Sequence, residues 1–307
     1  MAKKITIKKG QLGLVAKAGD YYRVLEAGEH RLGWFNTDDV LVVSQDGSEV
    51  PDALADYLRR FQPDWVARYC LAVDLTADEI GVLSNNGVLQ EIVPPSTRRL
   101  YWQQDAALTL QRIDTRDVRV PVDVMNAALQ PRRNGALKGR DAMLVVQVPA
   151  WHVGVVKIDG EIQALLPPGL TAYWKINHLV EAEIVDTRLQ VVEVSGQEIL
   201  TKDKVNLRLN LAANWRYSDV LQACGQLTKP LEHLYRELQF ALREAVGTRT
   251  LDELLEDKQI IDEVVSKQVQ GRLSSFGMEI ASLGVKDIVL PGDMKTILSR
   301  LVEAEKS

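Results

Sequence analysis

Between Val205 and Tyr217 the chain alternates with a period of two. Val205, Leu207, Leu209, Leu211, Ala213, Trp215 and Tyr217 fall on one face, with Asn206, Arg208, Asn210, Asn214 and Arg216 on the other. That pattern predicts a long strand with one buried face. Past Pro230 the period lengthens. Leu231, Leu234, Tyr235, Leu238, Leu242 and Ala245 recur at steps of three and four, as in a helix with one apolar stripe. Thr250-Leu251-Asp252-Glu253 has the form of a capping box and predicts a second helix start. Ile260, Ile261, Val264, Val265, Val269 and Leu273 carry that helix towards Gly277, which stops it. A strand over Met278–Leu290 follows, and Met294, Ile297, Leu298 and Leu301 begin another apolar stripe.

The first two thirds of the chain are organised by internal repetition. One copy reads Val153-Gly154-Val155-Val156, Asp159-Gly160, Leu166-Pro167-Pro168-Gly169, Tyr173-Trp174 and Val185-Asp186-Thr187-Arg188. An earlier copy reads Ile80-Gly81-Val82-Leu83, Asn86-Gly87, Val93-Pro94-Pro95-Ser96, Tyr101-Trp102 and Ile113-Asp114-Thr115-Arg116. A more distant first copy has Leu12-Gly13-Leu14-Val15, Leu25-Glu26-Ala27-Gly28 and Gly33-Trp34. The Asn-Gly and Asp-Gly pairs between β-branched runs predict tight hairpin turns, so each copy reads as a small antiparallel sheet. Pro51-Asp52 opens a short helical insertion carrying Leu54, Tyr57, Leu58 and Phe61. Leu129–Gly135 and Lys138-Gly139-Arg140 form a polar linker, whose Arg132, Arg133, Lys138 and Arg140 could touch phosphate or anionic lipid but read as solvated and are assigned no ligand.

Composition excludes more than it suggests. A net charge of −5 over 307 residues gives no general attraction to nucleic acid. Cys70 and Cys224 lie far apart without ligand-spaced partners, so neither a disulfide framework nor a zinc site follows, and Cys224 reads as a packing residue. His30, His152, His178 and His233 are scattered and read as structural. The repeated Asp-Thr-Arg triads offer a carboxylate, a hydroxyl and a cation, but their recurrence favours a local turn over acid–base chemistry. Gly10 to Gly13 lacks the lysine of a phosphate-binding loop. Trp34, Trp102 and Trp174 recur in register, as packing anchors. Lys3, Lys4, Lys8 and Lys9 read as a solvated edge strand, the competing reading being a tether to anionic membrane. No apolar run reaches bilayer length and Met1–Lys9 lacks the core of a secretory leader, which predicts a cytoplasmic protein whose membrane contact is peripheral, at the inner face.

Several of these stretches resemble the stomatin/prohibitin/flotillin (SPFH) superfamily, and most closely its bacterial slipin branch. They are Gly154-Val155-Val156 with Leu166-Pro167-Pro168-Gly169, Leu200-Thr201-Lys202-Asp203, the helical region Leu238–Thr250, Ser275–Ile280, Val285–Pro291 and Glu303-Ala304-Glu305. The resemblance spans residues 144–305. It implies an α+β domain that oligomerises through its helices into rings or cages, usually on a membrane, with no active site. Two departures stand out: residues 1–140 supply two extra β modules where relatives carry an apolar anchor, and the long coiled coil of relatives is not reached.

The expected fold is therefore α+β: tandem antiparallel β modules, an SPFH-type domain and the start of a C-terminal helix. The expected division is 1–68, a first module with its helical insertion; 69–140, a second module and linker; 141–291, the family domain; and 292–307, the assembly helix. The expected function is that of a non-enzymatic, self-assembling scaffold without cofactor or metal. Its partners would be copies of itself and a membrane-associated or cytoplasmic client. The alternative is a regulatory module acting on a membrane protease or another membrane protein. Leu234, Leu238, Leu242, Val265, Val269, Ile297, Leu298 and Leu301 are the expected oligomer contacts.

Overall fold

The computed structural model describes residues 3–33, 38–133, 135–290 and 300–306. Its fold is α+β, and the chain divides into two compact units: Met1–Val146 with Thr171–Val180, and Gln147–Leu170 with Glu181–Ser307.

The repeat is visible as one strand order used three times. The first copy comprises β1 (Lys3–Ile7), β2 (Gln11–Lys17), β3 (Asp20–Leu25), β4 (Gly28–Leu32) and β5 (Asp39–Ser44). Its β1 pairs with β4, and β2 lies between β3 and β5. Two helices follow, α1 (Asp52–Phe61) and α2 (Pro63–Tyr69). The second copy is β6 (Cys70–Asp74), β7 (Glu79–Asn85), β8 (Val88–Val93), β9 (Arg98–Trp102) and β10 (Leu108–Asp114), and then α3 (Val122–Leu129). The third is β11 (Met143–Val148), β12 (His152–Ile158), β13 (Glu161–Leu166), β14 (Gly169–Trp174) and β15 (Val180–Asp186). Both repeat the order of the first, a pair of outer strands and a three-stranded sheet.

The reason for the repeated glycine is steric. Gly13, Gly81 and Gly154 sit opposite Leu25, Val93 and Leu166 in the central hairpins. A Cβ at these positions would lie 2.9 Å from Ile7, 2.8 Å from Leu110 and 2.9 Å from Val148. Two residues later each central strand carries a bulge, after Val15, Leu83 and Val156. The hairpins then close on paired positive φ angles: Ala18 and Gly19 at 50° and 86°, Asn86 and Gly87 at 50° and 79°, Asp159 and Gly160 at 51° and 86°. These are type I′ turns, whose twist matches that of the flanking strands. In the first copy, where the sequence shows neither Asn-Gly nor Asp-Gly, Ala18 takes the left-handed position.

The copies in the first unit are joined by shared cores. In the first joint, Leu12 and Leu14 pack with Val50, Ala55, Leu58, Cys70, Leu100 and Trp102. Position for position, the second joint uses Ile80 and Val82, Val120, Met125, Ala128, Met143, Ala172 and Trp174. The backbone is equivalent too. Val50 N donates to Leu100 O and Trp102 N to Ser48 O, just as Val120 N donates to Ala172 O and Trp174 N to Val118 O. Pro51 and Pro121 then stand at the N-caps of α1 and α3, the helices that close over each joint. The sequence reading found α1 as an insertion but missed α3, which is short and lies just before the basic linker. Trp34 falls outside the described residues.

The second unit continues from β15 into β16 (Gln190–Leu200), β17 (Asn206–Tyr217), α4 (Val220–Gln226), α5 (Pro230–Gly247), α6 (Leu251–Glu256), α7 (Gln259–Leu273) and β18 (Met278–Val289). The predicted long strand is β17, the centre of the sheet β16–β17–β18. Its Leu207, Leu209, Leu211, Ala213 and Trp215 are buried against α5, α6 and α7. The predicted second helix is divided into α6 and α7. Thr250 Oγ accepts from Glu253 N, but among the described residues the Glu253 carboxylate makes no return bond, so half of the capping box forms.

Two stability predictions follow from this geometry. Ala18→Asn should stabilise the first copy by about 1 kcal/mol, because Asn tolerates the left-handed region better than Ala. A denaturant midpoint unchanged or lowered by the substitution would count against the turn assignment. Trp102→Ala should cost about 3–5 kcal/mol, and amide exchange should show protection lost in β2 as well as β9, since both line one joint. Loss confined to β9 would show that the joint is not shared.

Candidate assembly surface

Around its apolar core, the second unit is tied at its ends by a turn and a glycine. Within the turn joining β16 to β17, buried Thr201 donates through Oγ to Asp203 and accepts from Val205 N at 3.0 Å. Asp203 Oδ1 also accepts from Leu251 N at 3.1 Å, and Lys202 N donates to Arg249 O at 2.8 Å. The Thr201 hydroxyl, then the Leu251 amide, hold the Asp203 carboxyl below its ordinary range. The Leu200–Asp203 motif thus ties the strand hairpin to the junction of α5 and α6. At the other end Gly277, with φ of 69°, accepts from Ser218 N and Asp219 N. A Cβ there would lie 2.1 Å from Asp219 O, so only glycine fits.

Against this frame the expected contact residues separate. Leu234, Leu238 and Leu242 of α5 and Val265 and Val269 of α7 are at most 1% exposed, all within the unit's own core. A side chain so enclosed is not available to a second chain, and the same periodic stripe that marked these residues is what the sheet covers. Within one chain, these five side chains serve the unit's own core. Ile297 and Leu298 lie outside the described residues. Leu301 belongs to a helical stretch over residues 300–306 and is 56% exposed, next to Val302 at 51%.

The outer face of α5 carries an apolar residue that the stripe did not include. Phe240 is 58% exposed, with Arg236, Arg243 and Glu244 as its neighbours one turn away. A lone aromatic on an otherwise charged helix face was a signal available in the sequence. Around it, Arg272 donates to Glu237 at 3.3 Å and Gln268 to Glu244 at 2.6 Å, linking α7 to α5 and setting the side chains of that face.

The other candidate chemistry resolves into local structure. Arg116 and Arg188 grip Asp114 and Asp186 at 2.6 and 2.7 Å, and each aspartate also accepts the backbone N–H of its arginine at 3.0 Å. The arginines hold the Asp114 carboxyl at about 2 and the Asp186 carboxyl well below the usual range. Thr115 and Thr187 donate to Asp78 O and Trp151 O, closing equivalent turns. Burial pushes the Cys70 thiol up to about 12 and raises that of Cys224, so neither is poised as a thiolate. His233 packs edge-on to Phe276 at 4.6 Å, and His152 lies 3.7 Å from Asp186. Lys4 pairs with Glu29 at 3.3 Å. Among the described residues no cluster of metal-ligating side chains occurs, and no helix is long and apolar enough to cross a membrane.

Comparison with known proteins agrees with the geometry of the second unit. A stomatin homolog of Pyrococcus horikoshii is 30% identical over 159 residues, covering 52% of this chain and 59% of that protein. The stomatin homolog of Pyrococcus abyssi is 29% identical with the same coverage. Stomatin-3 of Caenorhabditis elegans is 29% identical over 176 residues, covering 54% of this chain and 66% of that protein. The chain therefore spans about 59% of the length of the archaeal relatives. The model of the SPFH domain / Band 7 family matches residues 146–307, more than half of the sequence, and the chain belongs to that family.

Proposed function

We propose that this protein is a non-enzymatic scaffold that assembles with copies of itself, in peripheral association with a membrane, and organises a client there. One observation carries the reading: the family match over residues 146–307. SPFH proteins of the stomatin type generally act as membrane-associated scaffolds and typically oligomerise. The surface chemistry is compatible with that role. Phe240 on α5 and Leu301 and Val302 on the C-terminal helical stretch are large apolar side chains left exposed within one chain. Contacts between copies of the heterologous kind close into rings when the rotation permits.

Mass photometry on the full chain at micromolar concentration tests this. A discrete large oligomer is expected. Phe240→Glu and Leu301→Asp should each weaken assembly by roughly tenfold or more, since each removes about 1.5–3 kcal/mol of apolar burial. A monomeric wild-type protein, or variants that keep the native particle size, would overturn the scaffold reading.

A further inference from the structure

The basic linker after α3 is not simply solvated. It folds back along β8, with Ile92 N donating to Lys138 O at 3.0 Å and Arg132 Nη2 donating to Leu89 O. Gly139 lies so close that a Cβ would sit 1.9 Å from Ile92 O. Between this segment, the start of β8 and the end of α3 the first unit leaves a cavity of about 720 Å³. Its walls bring Arg132, Arg133 and Lys138 around an apolar floor that includes Leu89, Ala127 and Leu137.

Three features of this cavity point to an anion. First, no carboxylate among the described residues lines it, although the chain as a whole carries a net charge of −5. Secondly, the guanidinium of Arg132 is half satisfied. Its Nη2 is used by Leu89 O, while its Nε is buried and has no hydrogen-bond partner among the described residues. A buried, unpaired donor on a cation is costly, and an oxyanion accepting from it would remove that cost. Thirdly, neither Arg132 nor Arg133 has a carboxylate partner among the described residues, whereas Arg116 and Arg188 are each committed to one and Arg99 to two. Lys138 is shared with Glu91 at 3.6 Å, which places it at the rim as a weaker contributor.

We propose that this cavity binds an oxyanion, a phosphate or a carboxylate, borne on a small apolar group that rests on the floor formed by Leu89, Ala127 and Leu137. The planar guanidinium of Arg132 supplies the directional contact, Arg133 adds charge, and the floor selects for an attached hydrocarbon. The site lies in the β modules, outside the residues matched by the family model, and does not depend on assembly.

Calorimetric titration of the full chain with inorganic phosphate, with monohexyl phosphate, and with phosphatidylcholine vesicles containing or lacking phosphatidic acid tests the proposal and separates its sources. Saturable 1:1 binding of monohexyl phosphate, tighter than that of inorganic phosphate and weakening with salt, is expected. Equal binding of both soluble probes would support the oxyanion contact and remove the apolar requirement. Binding only to the acidic vesicles would support the same contact and identify a lipid headgroup as its source. Arg132→Gln should weaken binding at least tenfold while leaving the thermal midpoint within a few degrees. Should that variant misfold, Arg133→Gln, which alters an exposed and unpaired side chain, should still reduce affinity severalfold. No saturable binding of any probe at millimolar concentration, or equal affinity in wild type and Arg133→Gln, would overturn the site.

Discussion

Each five-stranded module has only a small core of its own, such as Ile7, Val15 and Leu25 in the first copy and Val73, Leu83, Val93 and Tyr101 in the second. The chain meets that constraint by adding larger cores shared between neighbouring modules. Leu12 and Leu14 of one copy and Cys70, Leu100 and Trp102 of the next bury one another, and the second joint repeats the arrangement with Ile80, Val82, Met143, Ala172 and Trp174. The joint also needs the segment before each helix, because Val50 and Val120 add their backbone to the strand that carries the tryptophan. A proline then starts the helix that closes the joint. Removing any of these parts would expose apolar surface in two modules at once, so neighbouring copies are expected to stand or fall together.

The second unit solves the same problem differently. One long alternating strand, β17, gives its apolar face to three helices, and the charged and amide side chains of its other face remain outward. Polar contacts at the ends add to that core: Thr201 and Asp203 at one, Gly277 against Asp219 at the other. Because the apolar stripes of α5 and α7 are consumed by the sheet, the apolar surface free to meet another chain is what remains outside, with Trp151, Val191, Leu231, Phe240 and Leu301 among it. The unit is thus closed by one sheet face and three helices around an apolar core.

Charge is distributed according to a similar division. Most arginines with a nearby acid are committed to local structure, as in the repeated Asp114–Arg116 and Asp186–Arg188 pairs, where a carboxylate, an amide and a guanidinium close one turn. Arg99 is held between Glu49, Glu91 and Tyr101 within the first unit. The linker arginines differ in kind, since their positive charge faces a cavity without an acid. The contrast is what separates a structural cation from one with capacity for a ligand.

The sequence by itself determined the repeat, the hairpin turns, the long strand and the helical stripe, because each follows from local rules: glycine where φ is positive, alternation for a strand, steps of three and four for a helix. It also carried the Leu200–Asp203 and Gly277 signals, whose partners only the fold supplied. It could not show that Leu234, Leu238, Leu242, Val265 and Val269 belong to the unit's own core, because an apolar stripe looks the same whether a sheet or a second chain covers it. Tertiary structure alone decided that. The fold likewise revealed that modules share cores, since Trp102 and Trp174 must meet residues far away in the chain, and it turned the basic linker back onto β8, where backbone pairing with Ile92 outweighed solvation. Long-range contact, which no local pattern encodes, is the common reason.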